Sequence, residues 1–202
     1  EWHSPFAENI YLSMLCPYKK DISELSGLSL VATLAICHAL ESVIDLDNND
    51  LTVKWPNDIL INGRKHAGVL VEIEAESNGF CQVIIGVGVN VNMHKALKRN
   101  IDQTWTSLSK VTNKYIDRNI LATEIIDSII DYLERFSLNG FADFKQEWKK
   151  RDCLTSSMIS VMSSNKKSQG ICLGLNNQGH LKIKTKTGDI LTFSSGDTSL
   201  LK

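Results

Sequence analysis

The chain has 202 residues, 43% of them hydrophobic, and its 22 basic and 23 acidic side chains leave a formal charge of −1. That suffices for one medium domain with a small appendage; no run nears the ~20 apolar residues of a membrane helix, nothing near the start resembles a signal peptide, and the neutral balance speaks against nucleic acid as a main partner. Five cysteines (Cys16, Cys37, Cys81, Cys153, Cys172) are scattered without a Cys-x-x-Cys pair, which excludes the usual zinc and redox patterns and suits a reduced, cytoplasmic protein.

The chain opens on Glu1 rather than Met, so further residues are expected upstream. Residues 2–14 begin with turn chemistry at Ser4-Pro5 and become strand-like at Ile10, Tyr11 and Leu12. Trp2 and Phe6 read, on composition, as core packing. Residues 19–26 form a polar connection. From Gly27 a helix begins in which Leu28, Val31, Leu34, Ala35 and Ile36 are apolar around most of the circumference, the mark of a buried helix. His38 within it reads as a satisfied core group. Residues 45–50 are acidic and turn-rich but lack the Gly and distal Glu of a calcium loop, so they read as a solvated connection.

Residues 51–92 carry the densest chemistry. They read as three strands: 51–61, with Trp55-Pro56 inside it and Ile59 to Ile61 continuing; 69–73, with Glu72 and Glu74 on the alternate face; and 82–91. Asn62-Gly63 is a strong hairpin signal. Arg64, Lys65 and His66 fall at the hairpin tip, and Gly68 just beyond them marks a close approach by a ligand or another backbone. Gly86 and Gly88 share one face of the last strand and leave it bare, with Asn90 and Asn92 next along it. The third glycine of a dinucleotide fingerprint is missing, which speaks against a Rossmann site. Cations, amide donors, a carboxylate suited to hydrated Mg²⁺ and a bare glycine face are together equipment for activating a carboxylate with a nucleotide.

A polar loop, 94–103, leads to Trp105, which either starts a helix or covers a ligand. Ala122, Ile125, Ile126, Ile129, Ile130 and Leu133 recur at the helical period, predicting an amphipathic helix over 119–138, and Phe141, Phe144 and Trp148 continue as a shorter one. From Cys153 short alternating runs at 158–161, 170–175, 181–185 and 190–194, with turns at 176–179, 187–188 and 196–197, predict a small barrel. The boundary is expected near 150–154.

KWPND at 54–58, GRKHAGVLVE at 63–72 and GVGVNVN at 86–92 resemble, in order and spacing, three consecutive signatures of the biotin protein ligases (biotin–[acetyl-CoA-carboxylase] ligases). WHSPFAENIYLS at 2–13 resembles the segment that follows that family's Arg/Gly-rich biotin loop, and 105–108 the segment that orders over adenine. The resemblance implies an α+β fold: a class II aminoacyl-tRNA-synthetase-like mixed sheet flanked by helices over 1–152, plus an SH3-like barrel over 153–202. It implies ATP-dependent activation of biotin with Mg²⁺, giving biotinyl-5′-AMP, and transfer to a lysine of the biotin carboxyl carrier protein of acetyl-CoA carboxylase. The residues it implies are Lys65 for catalysis; Trp2, Lys65, Gly68, Leu70, Gly86 and Gly88 for biotin; Lys54, Asn57, Asn90 and Trp105 for ATP; and Asp58 and Asn90 for the metal.

A homodimer is compatible with the resemblance, a membrane is not, and DNA would enter only through an upstream helix-turn-helix. The family's GRGxxGR loop would fall immediately before Glu1, and an arginine that some relatives carry near their end stands here as Leu201. The rival readings are a lipoate or octanoate transferase of the same fold, a non-enzymatic biotin-sensing repressor, and an inactive fragment.

Overall fold

The computed structural model describes residues 6–18, 21–46, 50–75, 81–95 and 104–201. Trp2 and most of the polar loop before Trp105 lie outside the described residues. Strand β1 (Ile10–Tyr18) is followed by a short 3-10 turn and helix α1 (Leu28–Val43), then by strands β2 (Leu51–Lys54), β3 (Asp58–Ile61), β4 (Arg64–Ala75) and β5 (Cys81–Val89). These strands form one sheet in the order β1-β5-β4-β3-β2, every neighbouring pair antiparallel. Helices α2 (Leu108–Thr112), α3 (Arg118–Asn139) and α4 (Lys145–Arg151) come next. A second antiparallel sheet closes the chain: β6 (Met158–Ser163), β7 (Lys166–Leu175), β8 (Leu181–Lys184), β9 (Ile190–Phe193) and β10 (Asp197–Leu200), in the order β10-β6-β7-β8-β9.

Several sequence expectations are corrected. The sheet is not mixed: among the described residues parallel contact is limited to the single bridges Val53–Asp152 and Lys65–Trp105. Connections of a few residues between β2, β3 and β4 permit only hairpins. Residues 51–61 are not one strand but two, reversing at Trp55 to Asn57 so that Lys54 faces Asp58. Arg64, Lys65 and His66 are not a tip; β4 starts at Arg64, and the turn is confined to Asn62 and Gly63, whose φ values of 51° and 70° suit that pair. In the second sheet a fifth strand, β10, stands partly where a turn was expected, and it pairs with β6.

Helix α1 is buried on nearly all sides because it lies between α3 and the underside of the first sheet. His38, expected in the core, is instead exposed, its ring 5.8 Å from that of Tyr132. Phe6, also expected in the core, is 97% exposed. On α3 the buried stripe is Leu121, Ile125, Ile129, Tyr132 and Phe136, rotated from the expected one, and Ile130 faces outward. Two large aromatic rings, which a purely aliphatic reading omits, set which side turns inward.

The two sheets meet at Trp55. Its ring is buried, its Nε1–H donates to the Gly179 carbonyl at 3.1 Å, and its own carbonyl accepts from the Thr198 hydroxyl at 2.6 Å. The Cys153 N–H donates to the Val53 carbonyl beside it. Gly179 sits at φ 80°, and a Cβ there would lie 2.6 Å from Leu30 Cδ1 and 3.1 Å from Gly27 Cα. Gly179→Ala combines this overlap with a left-handed backbone, and is expected to cost roughly 1–3 kcal/mol. Urea unfolding checks it; an unchanged midpoint would mean that the junction is loosely packed.

Candidate active site

In an antiparallel sheet, directly paired residues point to the same side. The registers here join Lys54 to Asp58, Asp58 to Gly68, Gly68 to Gly88 and Gly88 to Tyr11, one continuous row across all five strands. The next row joins Leu70, Gly86 and Ser13. The opposite face of the same strands carries Val69, Val83, Ile85, Val87 and Val89, all buried in the core. The glycine rows therefore lie on the side away from α1 and form a low floor, walled by Tyr11, Leu15 and Leu70, each of them exposed.

A Cβ at Gly86 would meet only the Leu70 carbonyl at 3.6 Å and Leu70 Cβ at 3.7 Å, ordinary contacts. Packing alone would tolerate alanine there. The bare surface makes sense as room for something laid on the sheet.

At one end of this floor stands a charged cluster. Asp58 is buried, with Oδ1 2.6 Å from Lys65 Nζ and Oδ2 3.3 Å from Lys54 Nζ. A register shift at Ile59/Leu60 turns Lys65 toward Asp58. Two cations on one carboxylate leave a net positive corner, which can receive an anion by exchanging carboxylate contacts for ligand contacts.

The neighbouring amides serve the backbone. Asn57 donates from Nδ2 to the Val69 carbonyl and accepts the Val69 N–H at its own carbonyl, 3.1 Å away, so it pins the 55–57 turn onto β4. Asn90 is buried; its Nδ2 donates to the Thr106 carbonyl at 3.2 Å, its N–H to the His66 carbonyl at 3.0 Å, and its Oδ1 accepts from Asn9 Nδ2 at 3.4 Å. Asn92 likewise holds Ile116, accepting from its N–H at 3.0 Å and donating to its carbonyl at 2.9 Å.

Trp105 reaches the cluster through its backbone. Lys65 N–H donates to the Thr104 carbonyl at 3.0 Å, and Thr106 N–H donates to the Lys65 carbonyl at 2.9 Å. The Trp105 ring is half-buried, with Lys110 Nζ 3.7 Å from its centre.

Of the expected site residues, Lys54, Asp58, Lys65, Gly68 and Gly88 thus come together, with Leu70 and Gly86 one row away and Trp105 at the edge. Asn57 and Asn90 brace the surrounding backbone. Sequence reasoning missed Asn9, whose Oδ1 accepts the Val91 N–H at 3.0 Å, and Lys110, which no local pattern ties to Trp105. Two concavities, of about 590 Å³ beside residues 41–51 and about 400 Å³ among Ile61, Asn62, Arg64, Thr106, Lys110 and Val111, lie off the glycine floor.

His66, expected at the hairpin tip, is the extra residue at the register shift, so that it turns inward beside Ala67 while Lys65 faces the floor side. It is fully buried, and neither ring nitrogen has a hydrogen-bond partner. Burial pushes its pKa from 6.5 down to about 3; the Thr106 backbone beside it, not aligned for a full hydrogen bond, opposes this weakly. An unfolded chain takes up the proton below about pH 6.5 and the folded one only near 3, so stability is lost as pH falls through that window, by ~1.4 kcal/mol per unit. Between pH 7 and pH 5 the loss at this residue is expected to be roughly 2 kcal/mol. His66→Leu should remove it. Urea unfolding of both proteins at the two pH values decides; parallel losses would reject the assignment.

Residues 1–90 match the biotin/lipoate A/B protein ligase family. The bifunctional ligase/repressor BirA of Escherichia coli is 32% identical over 200 residues, covering 99% of this chain and 61% of that protein. The biotin–[acetyl-CoA-carboxylase] ligase of Paracoccus denitrificans is 27% identical, covering 80% of this chain and 68% of its own length. Among solved structures, the biotin protein ligase of Aquifex aeolicus in complex with biotin and ATP superposes with a TM-score of 0.78 at 28% identity, over 96% of this chain and 79% of that one. The chain spans about three fifths of the length of the BirA relative. The β-sheet floor of glycines ending in a Lys-Asp-Lys corner thus stands in a chain that is similar over most of its length to the biotin protein ligases, and whose residues 1–90 match the biotin/lipoate A/B protein ligase family.

Proposed function

We propose that this protein activates biotin with ATP to biotinyl-5′-AMP and passes the biotinyl group to a lysine of a biotin carboxyl carrier protein, that of acetyl-CoA carboxylase. The observation that carries the reading is the single row Lys54, Asp58, Gly68, Gly88, Tyr11, which sets a positive corner at the end of a flat, apolar-walled floor. Biotin lies on Gly68, Gly86 and Gly88 against Leu70, and its carboxylate points toward the corner.

In the first step a carboxylate oxygen forms a bond to the α-phosphorus, and the bond from that phosphorus to the pyrophosphate oxygen breaks, pyrophosphate leaving with the electron pair. Lys65 bridges the two anions, whose repulsion otherwise opposes the approach. Lys54 turns from Asp58 to the phosphates. Trp105 covers adenine. In the second step the amine of the carrier lysine attacks the acyl carbon, the acyl–phosphate bond breaks, and AMP leaves while the amine loses its proton.

Mg²⁺, when bound, would neutralise phosphate charge. Asp58 is the carboxylate suited to it, through water and only once the lysines have moved to the phosphates. Among the described residues no group of three or more His, Cys, Asp or Glu could hold a metal by itself. Asn57 and Asn90, expected at the phosphates and metal, act in this reading through the backbone they hold.

Residues 1–152 form the catalytic domain, related to class II synthetases, and 153–202 an SH3-like one. The described cysteines are unpaired, in keeping with a reducing, cytoplasmic setting. No helix among the described residues is long and apolar enough to cross a membrane.

Pyrophosphate release from ATP and Mg²⁺ is the test. It is expected to require biotin; release supported by lipoate or octanoate and not by biotin would overturn the reading.

A further inference from the structure

The outer face of the C-terminal sheet exposes an apolar row that nothing among the described residues covers. Register joins Met158 to Ile171, Ile171 to Lys184 and Lys184 to Ile190, so the four side chains stand side by side across β6, β7, β8 and β9. Met158, Ile171 and Ile190 are 36%, 44% and 60% exposed, while Ile159, Val161, Cys172 and Ile183, on the other face of the same strands, are buried. On the same outer face Met162 is exposed and paired with Lys167, and Lys182 stands two residues from Lys184. None of Lys167, Lys182 and Lys184 makes an ion pair among the described residues. Asp197, opposite Met162, is the acidic group of this face.

Charge divides along the chain in the same sense. Residues 153–202 hold six lysines and two aspartates, a net of +4, which leaves 16 basic and 21 acidic side chains, a net of −5, for residues 1–152. Apolar side chains edged by unpaired lysines match a protein surface with an apolar centre and an acidic rim. The face carries no aromatic ring on which a base could stack, which disfavours nucleic acid.

We propose that this face docks an acidic surface of the carrier protein, holding the carrier while its lysine reaches the adenylate. The inference rests on the ligase reading in naming the carrier, but its residues belong to the second sheet and not to the glycine floor or the lysine corner. The benefit would lie in capture. Lysines raise the encounter rate with an acidic partner, and the apolar row lengthens its stay.

The test compares the full-length protein with the double variants K182E/K184E and M158S/I171S, all four positions being outside the core. Each pair is expected to raise the KM for the carrier domain at least tenfold while leaving biotin-dependent pyrophosphate release without carrier within twofold. Added salt should raise the wild-type KM and leave that of K182E/K184E nearly flat.

A carrier KM within twofold of wild type in both variants overturns the proposal. So does binding of a single-stranded oligonucleotide, or salt-sensitive self-association in sedimentation, that K182E/K184E abolishes while carrier KM is unmoved. If the wild type releases no pyrophosphate with biotin, it is the ligase reading that has failed. Calorimetric titration of the carrier domain then decides the docking: binding lost in both variants supports it, and no binding to wild type rejects it.

Discussion

Lys65→Ala is expected to reduce biotin-dependent pyrophosphate release by two to three orders of magnitude, the size seen when one preorganised charge-stabilising donor is removed. The structural cost should be far smaller. Lys65 Nζ is 2.6 Å from Asp58, but Lys54 remains 3.3 Å from the other carboxylate oxygen, so Asp58 keeps a partner. About 1 kcal/mol is expected from the lost, partly exposed pair. Stopped or steady-state pyrophosphate assays beside urea unfolding separate the two effects. A variant that folds and releases pyrophosphate at the wild-type rate would remove Lys65 from the bridging role. Loss of stability and activity in proportion would make it a structural residue only.

Trp55→Ala should be the most destabilising single change at the junction, about 3–5 kcal/mol for a large ring lost from a closed site. Trp55→Phe isolates the polar part. It keeps most of the ring but leaves the Gly179 carbonyl without its 3.1 Å donor, at a cost of roughly 1–3 kcal/mol. Because Trp55 opens the turn that delivers Asp58 to the row, the Phe variant should also lower pyrophosphate release more than its stability loss explains. Urea midpoints for both variants, with activity measured where each is fully folded, check this. Unmoved midpoints would show that the two sheets hold together without the ring.

Much of the site was legible in residue types. Asn62-Gly63 announces a hairpin because both positions take positive φ, which few other pairs accept, and the structure has the turn there. Alternation in 82–91 puts Gly86 and Gly88 on one face whatever the partner strand is, since the side-chain period is two. Short strands divided by glycine turns after Cys153 likewise predict a second β unit, and a five-stranded sheet is found.

Other features depended on partners far along the chain. LTVK and DILI read as one extended run because each alternates normally, and the chain reverses between them at a tryptophan anchored through its ring 124 residues away and through its carbonyl 143 residues away. Asn57 and Asn90 look like free amides in sequence; only the positions of Val69 and Thr106 reveal that backbone carbonyls take their Nδ2 protons. His38 and His66 were misread in opposite directions. An apolar helix gives no sign of which rim residue meets solvent, and a basic tripeptide gives no sign that a strand begins at its first residue.

By itself, then, the amino-acid sequence determined which chemical groups are available and the local turns and periods, because φ preference and side-chain alternation act within a few residues. The tertiary structure alone decided that Lys54, Asp58, Gly68, Gly88 and Tyr11 share one row, because strand register depends on packing between segments whose separation no local preference encodes.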